Sequence, residues 1–389
     1  MRILKLLIIL LVVSVFTLGG YSRARGQIFD ASTKLRVNIF SNKKPNRLEM
    51  SVVEGHYQIY DKNGEVLAIV TAGDVLNIEK KDSNIVLYYN EFMILKEKFL
   101  LLKSSNDTSV LSIKNLPSEK SYAYDGDLEV SLNNGNLMLI NIIDLEKYVA
   151  GVVKSEVGNM SDSLQFYEVQ AIIVRTFALK NIRKHEQEGF HLCDGVHCQA
   201  YDGKNVSRRI NIAVKSTQSM VLTDSSGNLI STNFFSNSGG MTVNSEDYWI
   251  AKIPYLRAVE DPFSLKGRNC FWSKTYSISD WLHLLQKHFD YDIYSSTSKN
   301  KALEFEQKTR QVYFADSDIK LKDIREKLGL NSTFFSVKKK GNNVILEGRG
   351  FGHGVGLSQE GACEMIHQGY SVEDVLKFYY QGVIIRTVN

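Results

Sequence analysis

A chain of 389 residues with 43% hydrophobic and 23% charged side chains has the composition of a globular protein, which excludes a collagenous, disordered or multi-span membrane architecture. That length exceeds what one hydrophobic core usually fills, so two packed domains are expected. The 47 Lys and Arg outnumber the 43 Asp and Glu by only 4, too dilute a surplus to point to nucleic acid as a partner and no obstacle to contact with an anionic polymer.

The chain opens with Arg2 and Lys5, followed by an uncharged run from Leu6 to Tyr21 that has the polarity of an export signal. The run lies between the lengths of a cleaved signal and a spanning helix, and Ser22 and Ala24 form an imperfect small-residue cleavage site. Residues 1–24 are therefore read as a signal peptide or a membrane anchor. Either places the rest outside the cytoplasm and leaves the membrane touched only through this segment. From Leu35 to about Tyr124, short strand-like runs alternate with turn signals, as in Tyr57 to Asp61, Lys62-Asn63-Gly64 and Val66 to Val70. Val86 to Tyr89 and Val110 to Ile113 repeat the pattern. With no His, Cys or acidic cluster, residues 33–124 read as a small β-rich domain for packing or docking.

Residues 125–389 begin with another hairpin pattern, Leu128 to Leu132 and Leu137 to Ile142 about Asn133-Asn134-Gly135. The period then becomes helical. Asp144 can cap a short helix through Val153, and Ser161 to Ser163 can start a longer one carrying Leu164, Ala171, Val174, Ala178 and Ile182. Glu156 falls in the expected loop between them. Strands are expected near Ser219 to Leu222 and Leu229 to Phe235, a helix from Ser279 to Phe289, and a hairpin turning at Gly341-Asn342-Asn343. Helices mixed with antiparallel strands make the fold class α+β.

Four groups offer chemistry. Glu156 lies between apolar segments, where partial burial would raise its pKa toward the range of a general acid; the alternative is a solvated loop carboxylate. Gly348 to Gly356 places glycine at every second position, which fits neither a dinucleotide fingerprint nor a P-loop. It leaves His353 as the titratable group of a tight turn, with Ser358 and Gln359 beyond; a purely structural glycine loop is the competing account. Ser236-Asn237-Ser238-Gly239-Gly240 and Thr242 suit hydrogen bonding to carbohydrate, and Tyr248 and Trp249 a stacking face. Finally, His185, His191, Cys193, His197 and Cys198 cluster in sequence. Four of them would close a structural tetrahedral zinc site. The rival in an exported protein is a disulfide, Cys193 with Cys198 or through Cys270 and Cys363.

Together these segments resemble the stage II sporulation protein D family from roughly Asp125 to the carboxyl end. The resemblance is carried by Leu145-Glu146-Lys147-Tyr148-Val149-Ala150-Gly151-Val152-Val153-Lys154-Ser155-Glu156, by Val169 to Leu179, by Cys193 to Tyr201, by Ser238-Gly239-Gly240 with Thr242, and by Gly352 to Gln359. It implies a lytic transglycosylase that cleaves peptide-free glycan strands of peptidoglycan and leaves 1,6-anhydromuramyl ends. By the same carry-over Glu156 is the acid and base, and Arg175, Ser238, Gly239, Gly240, Thr242, His353, Ser358 and Gln359 bind substrate. Cys193, His197 and Cys198 with His185 look like the family's zinc site, and the choice between His185 and His191 as the fourth ligand stays open. Val157-Gly158 replaces the family's usual Met-Pro. If a second carboxylate takes part, Glu246 and Asp247 are the nearest candidates. Two other functions stay open at this point: a non-catalytic wall-binding module that enhances a partner amidase, and a zinc hydrolase.

Overall fold

The computed structural model describes residues 33–89 and 92–388; the signal or anchor expected at 1–24 lies outside the described residues. Among those residues no helix is long and apolar enough to cross a membrane.

Alternation of apolar and polar side chains produces two sheets in the first part of the chain. In Lys34–Ile39, Leu35, Val37 and Ile39 point inward, and in Arg47–Glu54 Leu48, Met50 and Val52 do the same. One sheet is antiparallel and runs Ser121–Asp125, Val110–Asn115, Arg47–Glu54, Val75–Lys81, Asn84–Tyr89, Phe92–Glu97. The other is centred on the hairpin of Asp127–Asn133 and Asn136–Asp144. Asn134 and Gly135 both adopt positive φ there, 48° and 75°, as a tight two-residue turn demands. Lys34–Ile39 pairs with one side of this hairpin and Phe99–Ser104 with the other, followed outward by His56–Tyr60 and Val66–Thr71. Leu192–Cys193 adds in parallel beyond Lys34–Ile39.

This pairing moves the division of the chain. The expected boundary at 124/125 runs through the middle of a sheet, because the central hairpin finds its neighbours in residues 34–39 and 99–104, and a single apolar core continues from Leu35 to Val383. The second core is an insert. It consists of the sheet Phe271–Ser277, Asn343–Arg349, Phe335–Lys340 and three helices packed around Trp281, Leu285, Phe314 and Leu346.

Helix α1 (Leu145–Val157) is capped by Asp144, whose carboxylate accepts from the amides of Glu146 at 2.9 Å and Lys147 at 3.3 Å. It does not stop at Val153. The first residue that breaks the helical path is Gly158, with φ 50°, so Glu156 sits on the last turn of α1 and not in a loop. Helix α2 (Leu164–Lys180) is buried on nearly every face, against α1, α3 (Arg208–Ser216) and the strand Met220–Thr223. The remaining helices are α4 (Ser245–Tyr248), α5 (Ile278–Phe289), α6 (Ser296–Leu303) and α7 (Leu321–Leu328) in and before the insert, then α8 (Gln359–His367) and α9 (Val372–Tyr379). The strand expected over Leu229 to Phe235 shortens to Phe234–Phe235, which pairs in parallel with Leu357–Ser358.

Arg175, expected in the groove, is instead a clamp inside this core. It is fully buried, grips Glu146 of α1 through Nε–Oε1 at 2.8 Å and Nη2–Oε2 at 2.5 Å, and donates to the carbonyls of Ala171, Val214 and Met220. Removing one partner of such a pair leaves an uncompensated charge. Arg175→Ala is accordingly expected to destabilise the fold by about 3–5 kcal/mol, seen as a lower denaturant midpoint, and Arg175→Lys to recover little because the planar fork is lost. An unchanged midpoint in the alanine variant would contradict the clamp.

Candidate active site

A groove of about 660 Å³ opens where the carboxyl ends of α1 and α2 meet the glycine-rich segment. Glu156 enters it from α1, Phe177, Asn181 and Lys184 from the end of α2 and the turn after it, and Val196, His197 and Cys198 from the following loop. The far wall is Ser231 to Ser236, Trp249, Ile253, Phe351 to His353 and Gln359. Among the described residues lining the groove, Glu156 is the one carboxylate.

Burial raises the pKa of Glu156, and a hydrogen bond from the Ala200 amide to Oε1 at 2.7 Å opposes the rise without cancelling it. The second carboxylates considered from the sequence are employed elsewhere. Glu246 is held by both nitrogens of Arg257, at 2.6 and 2.5 Å, which pull it down to about 2, and Asp247 accepts from Asn244 at 2.8 Å.

The alternate glycines are demanded by geometry. Gly352 and Gly356 take φ of 114° and 82°, and a Cβ on them would lie 2.6 Å from the Phe235 Cβ and 2.1 Å from the Asn233 carbonyl oxygen. The segment thus lies directly on residues 233–239, with Asn237 and Phe351 exchanging amide bonds at 3.0 and 2.8 Å. That contact sets His353 on the groove, ringed by Phe235, Trp249 and Tyr248 at 5.3, 5.3 and 5.9 Å. Its Nδ1 accepts from the Val355 amide at 3.0 Å. Burial, with Arg325 and Arg310 nearby, pushes its pKa down to about 4 against a bond to the Phe234 backbone. His353 is therefore a neutral ring at neutral pH, not an imidazolium acid. Gln359, only 5% exposed, lies at the groove with its side-chain nitrogen buried and without a protein partner.

Other residues expected to bind substrate build the wall behind. Ser238 is fully buried and donates to Asp261 at 2.7 Å; Gly239 leaves room for the Arg349 backbone. Gly240 donates to the hydroxyls of Ser238 and Ser264. Thr242 accepts from the Val259 amide at 2.8 Å, and Ser358 caps α8 through the Gly361 amide at 3.2 Å. Their hydroxyls are already satisfied inside the fold, which is why they do not reach the groove. Trp249 lines it, whereas Tyr248 is buried with its hydroxyl accepting from Arg325. Phe177, Asn181 and Lys184 also line the groove and carry no motif in the sequence; only Phe177 and the C-cap Asn181, four residues apart, have the spacing of one helical face, and Lys184 lies in the turn beyond it.

Beside the groove, the donor atoms of His185, Cys193, His197 and Cys198 all lie within 4.8 Å of one another. Cys198 Sγ is 3.5 Å from His185 Nε2, and His185 Nδ1 is 2.5 Å from a Glu188 carboxylate oxygen, the outer partner that commonly orients a ligating imidazole. Hydrogen bonds from Cys198, the Gly195 backbone and His197 pull Cys193 toward thiolate against its burial. All four cysteines are free, so neither disulfide alternative forms. His191 takes no part, since its Nδ1 accepts from the Arg36 amide at 3.1 Å.

A family model described as stage II sporulation protein matches residues 133–223, a span that holds Glu156 and all four donors. The stage II sporulation protein D of Bacillus subtilis is 36% identical over 262 residues, covering 62% of this chain and 74% of that protein. The chain belongs to the stage II sporulation protein D family. An uncharacterised protein of Brachyspira hyodysenteriae is 25% identical over 365 residues, 91% of this chain and 93% of its own, so its likeness extends through the amino-terminal sheets. The amidase enhancer of Bacillus subtilis is 25% identical over 290 residues, but only 40% of its length is covered.

The raised pKa of Glu156 has a consequence for stability. A carboxyl that keeps its proton to higher pH when folded than when unfolded binds more protons in the native state between those two pKa values, so stability falls as pH rises through them. Glu156→Gln lacks this loss. At pH 7 the variant is expected to unfold at higher denaturant concentration than the wild type, with the gap closing below about pH 4; equal midpoints at pH 7 would argue against a desolvated acid.

Proposed function

We propose that this protein is a peptidoglycan lytic transglycosylase that acts outside the cytoplasm, with Glu156 as both acid and base. The observation that carries the reading is a single desolvated carboxylic acid in a groove whose described lining holds no second carboxylate. Glycosidases that use water generally need two. Here Glu156 donates its proton to the glycosidic oxygen as the C1–O bond breaks. The resulting carboxylate then takes the proton of the muramyl C6 hydroxyl, whose oxygen closes on C1 to give the 1,6-anhydro ring. No water is consumed, Glu156 ends protonated, and the positioned hydroxyl replaces the second group through its effective molarity. Trp249 and Phe351 offer faces for sugar rings, and the unpaired Gln359 amide offers a donor to a sugar oxygen.

We further propose that His185, Cys193, His197 and Cys198 hold zinc. Two thiolates and two imidazoles make a closed donor set, so the metal would contribute structure and no activated water. What it would pin is the loop that leads from Cys198 to the Ala200 amide on Glu156. This counts against a zinc hydrolase. The resemblance to an amidase enhancer supports the other reading, a wall-binding module, which needs no ionisable group at position 156.

Digestion of peptide-free glycan strands is expected to yield anhydromuramyl ends by mass spectrometry. Glu156→Gln should lower the rate by about 10²- to 10⁴-fold while strand binding persists; a fully active variant would return the assignment to the binding module. Chelation is expected to lower the thermal midpoint and the activity together, and zinc to restore both. Activity lost with the midpoint unchanged would instead favour a catalytic metal.

A further inference from the structure

Lys184 is the one Lys or Arg among the described residues lining the groove. It enters the groove from the turn after α2, and its ammonium donates to the His197 carbonyl at 2.5 Å, which uses one of three hydrogens. An exposed lysine is ordinarily a free, solvated charge worth little. This one has its head group tied to the groove rim, and no carboxylate of the described residues is paired with it. With Glu156 in its protonated form, no carboxylate of the described lining offsets this charge.

A glycan strand of N-acetylated sugars is neutral except at one position, the lactyl ether of the muramyl residue. There a stripped strand carries a carboxylate, whereas a strand bearing stem peptides carries an amide. Resting on the glycan-strand reading above, we propose that Lys184 recognises this free lactyl carboxylate and makes the groove selective for peptide-free strands. The two remaining ammonium hydrogens supply charge-assisted bonds that an amide cannot match. A competing role exists, because Lys184 also holds the His197 carbonyl beside the Cys and His donors. That role would affect every substrate alike.

The two are separated by comparing peptide-free strands with the same strands after their carboxylates are converted to methylamides, using zinc-loaded protein of verified metal content. The wild type is expected to cleave the carboxylate strands with roughly tenfold higher kcat/KM. Lys184→Gln should lose about that factor on them and nothing on the amidated ones, and Lys184→Arg should recover most of it. Equal losses on both strands, or a wild type that does not discriminate, would overturn the proposal. Equilibrium binding of both strands to Glu156→Gln reads the contact without turnover. If that variant discriminates although the wild type cleaves nothing, the catalytic reading fails and this one stands; if it binds both equally or neither, this one fails.

Discussion

The bond from the Ala200 amide to Glu156 is the contact on which the rest of the site depends. Burial alone would raise the acid further and leave its direction open; the amide favours the ionised form and fixes one oxygen. The donor is itself held on both sides. Gln199 accepts from the Tyr148 hydroxyl of α1 at 3.3 Å, Tyr201 donates to Asn141 in the central hairpin at 2.9 Å, and the Asp202 amide donates to Ser155 at 2.9 Å. The strap 198–202 is thus stitched to the helix that carries the acid, and the Cys and His donors gather at its start. The strap therefore bears on both the protonation of Glu156 and its aim.

Much of this was legible in the sequence because it is local. The Asp144 cap, the two helices and the Asn-Gly turn depend on neighbours within a few residues. What the sequence hid is long-range. Pairing of Lys34–Ile39 with Asn136–Asp144 joins segments a hundred residues apart and erases the boundary that composition suggests. Helix α2 is buried on nearly every face, and Arg175, four residues after Ala171 and three before Ala178, shares their inward face, which its charge masks in the sequence.

The hydroxyls of Ser238 and Thr242 illustrate a different limit. Residue type shows that they can bond a sugar, but not that Asp261 and the Val259 amide already occupy them. A buried polar group finds its partner within the fold wherever it can. Gln359, which sequence alone ranked with Ser358, differs in that its side-chain nitrogen has no partner in the fold and it lies at the groove. His353 shows the same limit: the burial that comes with its place on the groove, with Arg325 and Arg310 nearby, disfavours its charged form.

The insert of residues 271–349 explains how a glycine-rich segment can be both close-packed and fixed. Glycines at alternating positive φ have little intrinsic preference for one path. Arg310 of the insert supplies the constraint, donating to the carbonyls of Met241 and Ser238 and to the Thr333 hydroxyl, with Phe334 under both its guanidinium and that of Arg349, at 4.8 and 3.9 Å. Burial and its two arginine neighbours push Arg310 down to about 9, a sign that carbonyl dipoles stand where a carboxylate partner would otherwise be. The charge is tolerated because it ties the back of the Ser-Gly-Gly turn to a rigid second core. The turn in turn backs Gly350 and Phe351 through Asn237. The second core thus fixes the groove wall from behind, while the strap at Ala200 fixes the acid from the front.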